Sequence, residues 1–318
     1  MKIYLAGHRG MVGSSLARTL GERGVELVIR TRKEADLREQ SVVRELLQSE
    51  KPDVVIVAAA KVGGIGANQE APAEFIRDNI AIQTNLIHES WSAGVGRLLF
   101  IASSCIYPKL AEQPMSEEAL LTGALETTNE PYAVAKISGL KLCESYRKQY
   151  GVDYRSVIPT NLYGPGDEFS LQSSHVVPAL LRRFHEAARE KLETIGIWGS
   201  GSPRREFLHV DDMSTGCLAV LDCGRERYDQ STGPGLNHLN IGTGTDITIT
   251  ELATKVAEIT GFQGEVVHDT SKPDGSPRKL LDVTRIKALG WRPKIALREG
   301  LQATYEWYLE NQENLRQS

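Results

Sequence analysis

Short apolar runs alternate with amphipathic stretches through the first half of the chain. Lys2 to Ala6, Glu26 to Ile29, Val54 to Ala58, Leu98 to Ala102 and Tyr154 to Ile158 are of strand length, rich in aliphatic residues, and bounded by Gly, Pro, Asp or Arg. Their apolar residues are largely consecutive rather than alternate, so both faces of each strand are expected to be covered, as in a parallel sheet. Met11 to Glu22, Ser41 to Gln48, Glu74 to Ala93 and Tyr132 to Tyr150 lie between them with helical spacing. This βαβ rhythm requires right-handed crossovers and predicts an α/β fold on a doubly wound parallel sheet.

The rhythm breaks after the turn-rich segment Asn161 to Asp167. A helix over Val176 to Arg189, a short strand, and Trp198 to Arg205, rich in Gly, Ser and Arg, look like insertions over a ligand. Phe207 to Val210 and Asp211 to Asp222 are expected to be a strand and a helix returning to the sheet. Ile249 to Ile259 and Leu297 to Leu309 are expected to be helices of a smaller C-terminal lobe, and Gly224 to Asn237 an exposed loop. The expected division is 1–165 with about 207–223 in the first domain, and about 166–206 with 238–318 in an α/β substrate lobe.

Composition narrows the class of function. Lys plus Arg is 37 against 41 for Asp plus Glu, a net charge of −4, which argues against a nucleic-acid partner. Four cysteines (Cys105, Cys143, Cys217, Cys223) are too sparse for a disulfide framework and point to a reducing compartment. The N-terminal residues run straight into a strand with no cationic leader, and no apolar stretch approaches a membrane span. A cytoplasmic protein without a resident metal is the expectation.

Gly7, Gly10 and Gly13 form G-x-x-G-x-x-G between the first strand and the first helix, with His8, Arg9, Met11 and Val12 in the same loop. Glycine there permits a tight turn and lets the backbone approach a pyrophosphate at the helix N-terminus, the arrangement of a Rossmann sheet. The alternative is a purely structural strand-to-helix turn. Where the second strand ends, an acidic residue would grip the 2′-hydroxyl of NAD, whereas an Arg suits a 2′-phosphate. The chain reads Arg30-Thr31-Arg32 there, with no carboxylate before Glu34, so NADP(H) is expected over NAD(H), with Arg9 as a second cation. Solvated surface arginines are the plainer alternative.

Tyr132 and Lys136 form Y-x-x-x-K at the start of a predicted helix, and a spacing of four places them on one face. The ammonium is expected to lower the phenol's pKa and make Tyr132 a general acid toward a carbonyl oxygen during hydride transfer. Ser103 stands at the end of the fourth strand, where strand C-termini meet the ligand crevice. The glycine loop, Ser103 and Tyr132-x-x-x-Lys136, in that order, resemble the extended, nucleotide-sugar-modifying branch of the short-chain dehydrogenase/reductase superfamily. Cys105 lies two residues after Ser103 and faces the same side on a strand-like continuation. With His175, which precedes a helix, it would supply the two acid/base groups needed to invert a carbon beside a ketone. Taken singly, the cysteine is equally a small core residue and the histidine a surface or capping residue.

Five segments resemble the bacterial GDP-L-fucose synthase family: Ser103 to Pro108, Asn129 to Ala133, Pro159 to Pro165, Ser174 to Pro178 and Asp274 to Lys279. The resemblance implies reduction of a GDP-4-keto-6-deoxy sugar by NADPH through Ser103, Tyr132 and Lys136, after C3 and C5 epimerisation by Cys105 and His175. It implies a cofactor site that includes Arg32, Asp36, Leu37, Ile101, Ala102, Ser103, Ser104, Lys136, His175 and the segment Pro159, Thr160, Asn161, Leu162. Arg183, Trp198, Arg205 and Asp274 are the implied GDP-sugar contacts; Arg182, Arg204 and Arg278 are expected to be solvated neighbours. A homodimer through Glu74 to Ala93 and Tyr132 to Tyr150 is also implied, although Ile80, Leu86, Ile87, Val134, Leu140 and Leu142 suit packing on the sheet equally well. The competing enzyme is a nucleotide-sugar C4 epimerase or dehydratase with retained NAD, which has no need of Cys105 and His175.

Overall fold

The aliphatic runs pair as parallel strands because consecutive apolar residues need cover on both faces, and the helices between them supply it. The structure, a computed structural model, describes residues 1–170, 174–233, 235–272 and 274–315. Pro234 of the expected loop and residues 316–318 of the expected lobe lie outside them. In chain order the elements are β1 (Lys2–Ala6), α1 (Met11–Glu22), β2 (Glu26–Val28), α2 (Gln40–Glu50), β3 (Val54–Val57), α3 (Ile65–Glu70), α4 (Pro72–Ser92), β4 (Arg97–Ile101), α5 (Glu130–Tyr150), β5 (Asp153–Pro159), β6 (Asn161–Tyr163), α6 (Val176–Glu190) and β7 (Thr194–Trp198). There follow β8 (Arg204–Arg205), β9 (Phe207–His209), α7 (Val210–Asp222), α8 (Arg225–Thr232), β10 (His238–Ile241), β11 (Ile247–Thr248), α9 (Ile249–Thr260), β12 (Glu265–Asp269), β13 (Arg278–Lys279), α10 (Thr284–Ala288) and α11 (Leu297–Leu315).

The main sheet has the order β10-β5-β4-β3-β1-β2, every pair parallel. Leu5, Val55, Ile56, Leu98, Leu99 and Phe100 are fully buried at its centre. Helix α5 lies close on β4, because a Cβ on Gly139 would stand 2.6 Å from the Phe100 ring and 2.7 Å from Gln83 of α4. That close approach brings Lys136, one turn earlier, to the end of β4. A second core, with Phe184, Leu252 and Leu301 wholly buried, lies under α6, α9 and α11, beside the short pair β7–β12 and the three-stranded sheet β11-β8-β13.

Three expectations are corrected. The lobe does not begin at 238: β10 is the edge strand of the main sheet, and Ile286, Leu289 and Trp291 pack into the first core. The strand after Arg205 does not rejoin that sheet; β9 pairs with β6, while α7 packs back on α1, where Ser15 Oγ donates to Asp211 Oδ1 at 2.6 Å. The expected loop 224–237 contains helix α8. It forms because Tyr228 is fully buried over the guanidinium groups of Arg155 (4.7 Å) and Arg147 (5.3 Å), a cation–π contact that a loop-like composition conceals.

Candidate active site

The glycine loop is shaped by contacts that leave no room for side chains. Gly7 has φ +91°, and a Cβ there would stand 2.6 Å from the Ala59 nitrogen; one on Gly13 would stand 2.0 Å from the Gly7 carbonyl oxygen. A Cβ on Gly10 would meet nothing nearer than 3.6 Å, so this glycine leaves open space where α1 begins. Open backbone at a helix N-terminus is what a pyrophosphate requires. His8 adds a buried Nδ1 with no hydrogen-bond partner, and desolvation lowers its pKa and favours the neutral ring. These features fit a dinucleotide.

The arginines beyond β2 divide. Arg30 is committed: it donates to its neighbour's carbonyl at 2.8 Å and forms an ion pair with Glu50. Arg32 stays 71% exposed and reaches only to 3.8 Å from Asp36, whose carboxyl is held well below its ordinary range by Arg38. Arg32 and the exposed Arg9 are therefore cations available to meet a 2′-phosphate. Leu37 lies nearby, its carbonyl accepting from Asn85 Nδ2 at 3.0 Å.

Beyond Ile101 the chain keeps one more sheet bond, Ala102 N–H to the Val157 carbonyl at 2.8 Å, and then turns. Ser103 is extended and caps a three-residue 3-10 helix, Ser104–Ile106, so Cys105 is not on a strand-like continuation. The cap joins the two residues instead, with Ser103 Oγ accepting from the Cys105 N–H at 3.5 Å. Lys136 Nζ donates to the Ile101 carbonyl at 2.9 Å and lies 5.9 Å from the Tyr132 ring centroid. Burial brings its pKa down to about 8.

The expected lowering of the Tyr132 pKa does not occur. Burial raises it, Cys105 adds to the rise, and the lysine that would lower it is directed at a backbone carbonyl. A phenol that keeps its proton suits the donor role. Burial also raises the Cys105 thiol, opposed by Ser103, Lys279 and Lys136 in that order. His175 stands as N-cap of α6 with its side chain unused for capping, and desolvation lowers its pKa although solvent reaches it. Among the described residues it makes no hydrogen bond to Cys105, Tyr132 or Lys136.

On the lobe side the arginines sort by their partners. Arg182 pairs with Glu186, and Arg204 and Arg278 share Asp246. Arg183 and Arg205 bond only to backbone carbonyls, of Gly196 and Arg204, and among the described residues no carboxylate pairs with either. Desolvation lowers the pKa of both, so two part-buried positive charges stand without counter-charge. A pyrophosphate would supply it. Trp198 is 70% exposed with Lys272 5.8 Å from its ring, and Asp274 accepts from Ser200 N–H and Oγ at 2.9 and 2.7 Å, holding that turn.

Pro159 ends β5 and Leu162 packs against the first core. Between them, Thr160 Oγ1 and Asn161 Nδ2 both donate to the Glu206 carbonyl, at 3.3 and 2.8 Å, so these side chains tie the sheet to the lobe. Lys279 is the residue that motif reasoning missed. It lies opposite Arg205 in the parallel β13–β8 pair, its pKa lowered by burial, an effect that the charge of Cys105 opposes. A two-residue strand gives no periodic signal, and the only trace of Lys279 in the sequence was its place at the end of Asp274 to Lys279.

Residues 3–242 match the NAD dependent epimerase/dehydratase family. The chain is 57% identical over 316 residues to a GDP-L-fucose synthase of Escherichia coli K12, covering 99% of this chain and 98% of the other. A Campylobacter jejuni GDP-D-glycero-L-gluco-heptose synthase, solved in the presence of NADPH, has a TM-score of 0.90 at 36% identity, covering 97% and 98% of the two chains. A GDP-L-fucose synthetase from Naegleria fowleri bound to NADP has a TM-score of 0.86 at 25% identity, over 98% and 95%. By sequence and by fold, the chain belongs to the NAD dependent epimerase/dehydratase family, in its GDP-L-fucose synthase group.

Proposed function

We propose that this protein converts GDP-4-keto-6-deoxy-D-mannose to GDP-L-fucose, inverting C3 and C5 and then reducing the C4 ketone. The observation that carries this reading is the presence of Cys105 within the same cluster as Ser103, Tyr132 and Lys136. Reduction needs the last three only. A thiol among them gives the site a second proton-transfer group, which inversion beside a ketone requires.

Gly7, Gly10, Gly13 and the start of α1 would hold the cofactor's pyrophosphate, with Arg32 and Arg9 at its 2′-phosphate and Ile101 to Ser104 along the crevice. Bound NADPH supplies the hydride. Ser103 Oγ binds the ketone oxygen, Tyr132 donates its retained proton to that oxygen, and the Lys136 ammonium repays the phenolate's charge. In the inversions Cys105 and His175 take a proton from one face of the carbon beside the ketone and deliver one to the opposite face, with no change in oxidation state. Arg183 and Arg205 hold the GDP pyrophosphate, while Trp198 and Asp274 border the nucleotide.

A cytoplasmic homodimer completes the reading. Its support is the outer face of α4 and α5, where Ile80, Val134 and Tyr150 are exposed while Leu86, Ile87 and Leu140 are buried against the sheet. Among the described residues no helix is long and apolar enough to cross a membrane. Light scattering at micromolar protein is expected to give twice the chain mass.

The deciding experiment follows NADPH absorbance with GDP-4-keto-6-deoxy-D-mannose and identifies the sugar by NMR. Stoichiometric oxidation to GDP-L-fucose is the expected result. A reduced sugar without inversion would remove Cys105 and His175 from the chemistry. No oxidation, with NAD copurifying, would indicate a hydride-recycling C4 epimerase.

A further inference from the structure

The residue after the Cys105 turn is tied to a part of the molecule far away in sequence, and the chemistry proposed above makes no use of that tie. Short 3-10 helices have poor hydrogen-bond geometry. This one is held by long bonds: Ile106 N–H to the Ser103 carbonyl at 3.2 Å, Tyr107 N–H to the Ser104 carbonyl at 3.3 Å, and the capping bond at 3.5 Å. Its placement therefore depends on what its ends are fastened to. Upstream it hangs from β4. Downstream, Tyr107, which is 3% exposed, donates its hydroxyl proton to Asn240 Oδ1 at 2.6 Å.

Asn240 is fully buried in the edge strand β10. Its Nδ2 donates to the carbonyls of Met115 and Asp282, both at 3.0 Å, and its backbone N–H donates to Glu117 Oε1 at 3.0 Å. Met115 in turn bonds on both sides to the stretch that follows β13, accepting from Asp282 N–H and donating to the Leu280 carbonyl, each at 2.8 Å. That stretch begins one residue after Lys279, whose ammonium acts on the Cys105 thiol. One carboxamide thus joins the turn that carries the thiol to the stretch that follows Lys279. Ser103 caps the turn but is also held from the sheet side through β4 and Ala102, Lys136 is held by the Ile101 carbonyl, and Tyr132 by α5; these sheet and helix attachments are made without the Asn240 side chain.

We propose that Asn240, acting through the Tyr107 hydroxyl, is the positioning residue that holds Cys105 in register with Lys279 and the substrate carbon, so that proton transfer depends on it and hydride transfer does not. This role rests on the epimerase-reductase function proposed above. Tyr107→Phe keeps the ring and removes only the hydroxyl, and Asn240→Ala opens the tie from its other end.

Two partial reactions are read on each variant and on the unsubstituted protein. One is deuterium incorporation from solvent into GDP-4-keto-6-deoxy-D-mannose without NADPH. The other is oxidation of GDP-L-fucose by NADP+, which needs no inversion. The expected result is a kcat for deuterium incorporation lowered about tenfold with KM unchanged, while GDP-L-fucose oxidation stays within about twofold. Incorporation at the unsubstituted rate in Tyr107→Phe would overturn the role. Equal loss of both reactions would also overturn it, since a purely structural hydroxyl would move them together. If Asn240→Ala does not fold, Tyr107→Phe decides alone. If the unsubstituted protein itself incorporates no deuterium, the epimerisation fails and the positioning role falls with it, an outcome visible before any variant is made.

Discussion

The two sides of the cleft are built from different materials. The groups proposed for the reduction hang from long elements: Ser103 follows the five-residue β4, and Tyr132 and Lys136 occupy the first two turns of the 21-residue α5. The groups proposed to meet the sugar nucleotide come from scattered and unequal elements: Arg183 from the 15-residue α6, Trp198 from the end of the five-residue β7, Arg205 from the two-residue β8 and Asp274 from a loop. Chemistry that needs one fixed geometry is concentrated on two neighbouring long elements, whereas recognition is gathered from several segments distant in sequence, some of them only a turn long. Cys105 sits at the boundary, one end of its turn on β4 and the other tied through Tyr107 to Asn240 in the edge strand β10.

The strongest way to break this contrast is to remove one group from each side of the boundary. Tyr132→Phe is expected to lower NADPH oxidation by about 10²-fold or more, the scale of a lost general acid, while deuterium incorporation into the keto sugar persists. Cys105→Ser is expected to do the reverse: incorporation falls by about 10²-fold, and NADP+-dependent oxidation of GDP-L-fucose continues. Parallel assays of both reactions on both variants check this. Loss of both activities in either variant would mean that the thiol and the phenol form one unit and that the boundary is not functional.

The same contrast explains what the sequence revealed. Helix α1 lies where periodicity placed it, Met11–Glu22, and β1, β3, β4 and β5 fall within a residue of their apolar runs, because local pattern and tertiary cover agree there. The places of Ser103, Tyr132 and Lys136, to which the reduction is ascribed in the proposal, were legible for the same reason, being punctuated by a strand end and a helix start. Lys279 and α8 were not. Lys279 depends on the register of two-residue strands, and α8 depends on Tyr228 meeting two arginines that lie more than 70 residues earlier in the chain. Arg30 shows the converse failure: its position invited a phosphate role, and Glu50, 20 residues on, had already taken it.

On the recognition side the expected effect is smaller. Arg205→Lys keeps the charge and removes the planar fork that meets paired phosphate oxygens. The KM for the sugar nucleotide is expected to rise about tenfold with the KM for NADPH unchanged. Initial-rate measurements with each substrate varied separately check it. A rise in both constants would place Arg205 in the architecture of the cleft rather than at the nucleotide.

The last effect is on stability rather than on turnover and concerns the junction itself. Asp167 follows Gly166, which lies against the start of α1, and its buried carboxyl uses Oδ1 to accept from the Glu168 N–H at 2.8 Å while Oδ2 has no partner. Burial, the larger cause, and the charge of Glu168 raise its pKa from 3.8 to about 7. Below pH 3.8 the group is protonated in folded and unfolded chains alike and contributes nothing to pH dependence. Between about 4 and 7 the unfolded chain releases a proton that the folded one retains, so stability falls as pH rises, and above 7 the full penalty of a buried carboxylate is present. Asp167→Asn keeps the shape and the Oδ1 acceptor and removes the ionisation. Relative to the unsubstituted protein it is expected to gain roughly 2–4 kcal/mol at pH 8 and nothing at pH 4, which for a chain of this length is a rise of several degrees in Tm. Thermal melts of both proteins across that range measure the difference. A constant offset at all pH values would show that the carboxylate is solvated or paired in solution, and that the seam between sheet and lobe is wetter than the buried Oδ2 implies.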